Sequence, residues 1–205
     1  MSAALAGFGL SLSLIVALGA QNAFVLRQGL RRERVGVVVT ICTVSDIILI
    51  AAGVAGLGYV LERAPWLADV TRWLGAAFLL GYAALAGWRA LRQNGQGLVP
   101  QPNGPAANVQ APLGPVVLTA LAMTWLNPSV YLDTAFLIGS VAASHGDERW
   151  LFALGAGSGS AAWFLGLGFG ARYLSRWLRT PRSWRILDGA IALLLVATAA
   201  KLLMG

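Results

Sequence analysis

Gly19-Ala20-Gln21-Asn22-Ala23-Phe24-Val25-Leu26-Arg27-Gln28-Gly29 closes a long apolar run by setting two amides side by side just after a glycine. In hydrocarbon each amide costs free energy unless it finds a partner. A second apolar segment does the same at Thr124-Trp125-Leu126-Asn127-Pro128-Ser129-Val130-Tyr131-Leu132-Asp133-Thr134. Pro128 removes a backbone hydrogen bond there and kinks or breaks the helix. Two polar breaks in two apolar segments predict one site inside a membrane, formed where the breaks face each other.

The rest of the chain fits that frame. Of 205 residues, 58% are hydrophobic and 11% charged, against about 25% charged in a soluble domain. A span needs about 20 mostly apolar residues. Six stretches qualify: 4–26, 36–61, 69–91, 113–143, 150–173 and 183–204. The expected fold is all-α and polytopic. The first stretch lacks a basic leader and runs straight into Gln21-Asn22, so it reads as a retained span. Arg72 and Arg185, near the starts of the third and sixth stretches, sit shallow enough to snorkel.

The net charge of +7 comes mostly from arginine, with Lys201 as the single lysine. These charges fall between apolar runs, which points to membrane orientation and not to nucleic acid. Arg27, Arg31, Arg32 and Arg34 lie in the first loop, Arg89 and Arg92 in the third, and Arg172, Arg176, Arg179, Arg182 and Arg185 in the fifth. Only Arg63, Arg72, Arg149 and Lys201 fall on the other side. The positive-inside rule therefore places the odd loops in the cytoplasm and both termini outside. The first-loop arginines read as topology determinants and lipid-phosphate contacts.

Residues 93–112 are rich in Gly, Pro, Gln and Asn, without periodicity, and read as a cytoplasmic linker. They divide the chain into two three-span halves, 1–92 and 113–205. An odd number of spans per half gives the halves opposite orientations, the inverted-repeat plan of many transporters. Each half carries an Asn-containing break in its first span, at Asn22 and at Asn127.

Asp46 lies near the middle of the second stretch, where a charge costs at least ~2.5–3.5 kcal/mol and normally faces an interior cavity. It could hold a cationic substrate or carry a proton; the alternative is a structural Asp bonded to hydroxyls of a neighbouring helix. Asp133 follows Pro128 by five residues, with Ser129 on its face, and has the same two readings. Gln21, Asn22 and Asn127 offer amide donors and acceptors, and a half-helix N-terminus suits a carboxylate. Their bland use is as glue between helices. Trp125 adjoins Asn127 and either walls a cavity or packs. The GxxxG runs Gly155-Ala156-Gly157-Ser158-Gly159 and Gly166-Leu167-Gly168-Phe169-Gly170 read as close-packing surfaces. Trp66, Trp73, Trp88, Trp150, Trp177 and Trp184 sit at span ends and read as interfacial belts. His145 reads as a solvated loop residue. The single Cys42 forms no internal disulfide, and no zinc-ligand spacing, metal cluster, cofactor motif or catalytic triad is legible. A transporter is expected, not an enzyme.

The two broken stretches, together with Ser45-Asp46, resemble the lysine/arginine exporter family (the LysE/ArgO type). The second break is the most specific, with ten matching positions over eleven. The likeness spans essentially the whole chain. It implies a bacterial inner-membrane exporter of L-lysine or L-arginine, driven by the membrane potential or a proton gradient. Its substrate-binding set would be Gln21, Asn22, Asp46, Trp125, Asn127, Pro128 and Asp133, with Asp46 and Asp133 as candidate proton carriers. In the family the position after Asn-Pro is commonly His; here it is Ser129, so any coupled proton falls to Asp46 or Asp133. Neutral amino acids or another small solute are the alternative cargo. An ion channel fits less well, since no charge ring or filter motif is present. A homodimer is compatible with the sequence.

Overall fold

The computed structural model describes residues 2–16, 19–56, 65–92, 112–174 and 181–204. The linker 93–111, the end of the second apolar stretch at 57–61, and Arg63, Trp177, Arg176 and Arg179 lie outside them. Among the described residues the fold is helical, with no strand. The helices are α1 (Ser2–Ile15), α2 (Ala20–Arg31), α3 (Val35–Val54), α4 (Pro65–Arg92), α5 (Leu113–Trp125), α6 (Pro128–Ala143), α7 (Arg149–Leu174) and α8 (Pro181–Met204). Three of them, α3, α7 and α8, are each long and apolar enough to cross a membrane; the α1–α2 and α5–α6 pairs bring the number to five if each is one broken span. α4 has 28 residues, about 42 Å of helix at 1.5 Å per residue.

Both sequence breaks are real bends. The axes of α1 and α2 differ by 84°, and those of α5 and α6 by 55°. The second bend follows from local chemistry. Asn127 is extended (φ −99°, ψ 105°), and its Oδ1 accepts from Ser129 N at 3.2 Å. Pro128 takes the first helical position, where its missing N–H costs nothing. α6 then widens into a π-helical stretch over Tyr131–Ile138, a distortion frequent at functional sites.

Glycines set the helix contacts. A Cβ on Gly155 would overlap the Ala4 carbonyl, and one on Gly7 the Phe152 carbonyl. α1 and α7 therefore lie side by side and parallel, with backbones in contact. Gly53 of α3 meets Ala135 and Gly139 of α6 in the same manner. The GxxxG run at 155–159 is thus a packing surface. By contrast, a Cβ on Gly166 meets nothing within 4 Å. Gly155→Leu is expected to lose about 1–3 kcal/mol or more by overpacking, read as a drop in thermal midpoint of the purified protein. Gly166→Leu should leave that midpoint in place.

α4 and α8 form an antiparallel pair. Arg72, near the start of α4, donates from Nη2 to the Leu203 carbonyl at the end of α8, at 2.6 Å. Arg185, near the start of α8, donates from Nε to the Ala90 carbonyl at the end of α4, at 3.0 Å. Each arginine caps the C-terminus of the other helix, where cations are favoured. The two arginines therefore have protein partners and do not simply snorkel.

Leu5, Ile48, Leu118, Leu132 and Leu154 are all at least half exposed, apolar side chains suited to a lipid-facing exterior. Trp66, Trp88 and Trp150 are exposed near helix ends, and Trp73 is exposed two turns into α4. Trp184 departs from the belt expected for it: it is buried against Leu30 and Ala171. Arg27 departs as well. α2 continues to Arg31, one turn beyond the expected end of the first span, so Arg27 lies inside a helix. It is 5% exposed and paired with buried Asp188. An arginine with that partner is no loop determinant or lipid contact.

Candidate functional site

A cavity of about 640 Å³ lies where the two bends meet α3, α7 and α8. Gln21 and Asn22 reach it from the start of α2, Asp46 from α3, and Asn127, Ser129, Asp133 and Thr134 from the second bend and the widened helix. Five of the seven candidate residues are thereby gathered around one space. Trp125 and Pro128 do not line it. Trp125 Nε1 donates to Ser45 Oγ at 3.1 Å, and Tyr131 Oη donates to the Trp125 carbonyl at 2.7 Å. These bonds tie the bend to α3, so Trp125 braces the site from behind.

The two asparagines hold the bends open. Asn22 Nδ2 donates to the Ile15 carbonyl at 2.6 Å, the last residue of α1, and its Oδ1 accepts from Trp163 Nε1 of α7 at 3.1 Å. Asn127 caps α6 as described. Gln21 differs: its Nε2 is buried and makes no hydrogen bond within 3.5 Å, while its side chain stands beside the Asp46 carboxyl and the Cys42 thiol.

Asp46 is 2% exposed. Its Oδ2 accepts from Ser160 Oγ at 2.8 Å; its Oδ1 is buried with no hydrogen bond within 3.5 Å, and the Gln21 side chain stands beside the carboxyl. A buried carboxylate satisfied on one oxygen is costly. The structural alternative weighed from the sequence, a carboxylate neutralised by hydroxyls, accounts for one oxygen only. Asp133 is half-buried on the same cavity, near Lys201. The charged groups lining the cavity are Asp46, Asp133 and Lys201, a surplus of one negative charge.

Sequence reasoning missed the wall supplied by α8: Leu194, Ala197, Thr198 and Lys201. The signal was present. Those positions fall at helical spacing on one face, and two of them are polar in an otherwise apolar run. Ser160 was hidden in a glycine-rich stretch read only as packing.

The LysE type translocator family matches this chain over residues 12–205. A Mycobacterium tuberculosis protein, named provisionally as an amino-acid transporter, is 47% identical over 94% of this chain and 92% of its own. The arginine exporter ArgO of Yersinia enterocolitica is 43% identical over 90% of this chain and 87% of its own. The lysine exporter LysE of Corynebacterium diphtheriae is 38% identical over the full length of both. No solved structure matches the chain.

Proposed function

We propose that this chain, which belongs to the LysE type translocator family, exports basic amino acids, L-lysine or L-arginine, across the bacterial inner membrane. The observation that carries the reading is Asp46. It is a carboxylate held deep in a cavity between two broken helices, with one oxygen bonded by Ser160 and the other left for a cation. Gln21 Nε2 makes no close hydrogen bond, and its side chain stands beside the Asp46 carboxyl, where it can orient the substrate. Asp133 and Lys201 stand further along the same cavity.

The architecture we propose is six spans in two inverted three-span halves, with the odd loops in the cytoplasm and both termini outside. The reciprocal caps between α4 and α8 support it. So does the matched packing of α1 on α7 and of α3 on α6, each parallel and each through glycine. The inside-negative potential opposes cation efflux by ~2.3 kcal/mol per charge per 100 mV. Export therefore runs on a high internal concentration or on exchange for protons, with Asp46 and Asp133 as the groups able to carry one. The work is transport, without a catalysed reaction.

The test is efflux of labelled lysine, arginine and leucine from proteoliposomes holding the purified chain. Efflux of lysine or arginine, with leucine retained, is the expected result. Leucine efflux equal to that of lysine would overturn the assignment in favour of a neutral-solute exporter.

A further inference from the structure

Arg27 and Asp188 lie apart from the cavity. Arg27 Nε donates to Asp188 Oδ1 at 3.0 Å, with side chains 6% and 1% exposed. α8 starts near Trp184, buried against α2 and α7, and passes Asp188 before Ile191 and Leu195 enter the core. Leu193, Leu194, Thr198 and Lys201 then line the cavity. Asp188 thus sits about 7 Å of helix rise below the first cavity residue, toward the arginine-rich ends of the helices. Phe24, Ile191 and Leu195 belong to the buried cluster beside this stretch.

A buried ion pair is weak support for a fold, because desolvation offsets the attraction. This one is also incomplete: Asp188 Oδ2 and Gln28 Oε1 are both buried without hydrogen-bond partners among the described residues. A half-satisfied buried network is worse for stability than an apolar one. The arrangement makes sense as a site whose occupant exchanges. The occupant in this state is a guanidinium, the group that arginine would bring as substrate, and a lysine ammonium satisfies the same carboxylate.

We infer that Asp188 is the cytoplasmic loading site for the substrate's cationic side chain, and that Arg27 fills it here as a tethered competitor. The inference rests on the export reading. A basic amino acid displaces Arg27 and opens the path along α8 toward Asp46; a neutral one cannot. With no substrate, Arg27 keeps the cytoplasmic end shut.

The test uses the full chain with Arg27→Gln, Asp188→Asn and the double variant. Arg27→Gln is expected to lower the half-saturating cytoplasmic lysine concentration at least threefold. Asp188→Asn should raise it at least tenfold, and the double variant should follow Asp188→Asn. Unchanged half-saturation in all three, with only folded yield altered, would mean a structural pair and overturn the inference. If Asp188→Asn fails to fold, the double variant, a neutral pair, carries the same comparison. A second readout needs no transport. L-Arginine should raise the thermal midpoint of purified Arg27→Gln more than that of the double variant, which keeps only the Asp46 cavity; equal response in both sinks the loading site. A wild-type chain that moves neither lysine nor arginine sinks the export reading instead, and the L-arginine shift then decides this site alone.

Discussion

Asp46→Asn is expected to lower lysine and arginine efflux by roughly thirtyfold to a few thousandfold, the equivalent of the ~2–5 kcal/mol lost when one partner of a buried charge pair is removed. The same variant should keep or gain thermal stability. Asn retains an oxygen for the Ser160 hydroxyl, now 2.8 Å from Asp46 Oδ2. It also removes a buried charge whose other oxygen has no partner, which relieves a desolvation cost. Loss of function with retained stability is the mark of a group kept for its task and not for the fold. A structural Asp46 would behave in the opposite way, with Asn destabilising the protein and efflux falling only as folded protein falls. Thermal midpoints and efflux measured on the same preparations separate the two.

Asn22→Ala should do the reverse and act first on stability. It strips the partly buried Ile15 carbonyl and Trp163 indole N–H of their partners, at up to about 1–3 kcal/mol for each group left unsatisfied. These bonds tie the end of α1, the start of α2 and the middle of α7 together, so their loss loosens the first bend. The expected result is a large drop in thermal midpoint, with transport lost in proportion to folded protein. Trp163→Phe removes one of the two bonds and should show a smaller drop. An Asn22→Ala protein of wild-type stability with abolished efflux would instead place Asn22 against substrate.

These contrasts show what the chain disclosed before its structure. The bends were legible because amides and a proline stand out in hydrocarbon-like sequence, and Asp46 because a mid-span carboxylate is costly. The packing role of the glycine run at 155–159 was legible from its spacing, whereas Gly166 and Gly170 of the second run meet nothing within 4 Å. What failed did so for lack of a visible partner. Arg27 looked like the first of four loop arginines, since its mate Asp188 lies 161 positions away. Trp184 looked like a belt residue until Leu30 and Ala171 were placed over it. Lys201 stood only among the outer-side basic residues, although its helical spacing from Thr198 and Leu194 put all three on one face. The caps made by Arg72 and Arg185 needed the antiparallel pairing of α4 and α8, which no local pattern encodes.

The division of labour that results is simple. Asn22 and Asn127 hold two bends, Trp125 and Tyr131 brace one of them, and in the proposed export Asp46 would supply the charge that a basic amino acid meets. The most direct test loads bacterial cells lacking their own basic-amino-acid exporters with lysine- and arginine-containing dipeptides. Efflux of each amino acid is then followed with no added protein, with the wild-type chain, and with Asp46→Asn at equal membrane abundance. The wild-type chain should raise lysine or arginine efflux well above background, and Asp46→Asn should return it to background. Efflux that is the same with and without the chain would contradict the proposed export, and full efflux by Asp46→Asn would contradict the role of its carboxylate.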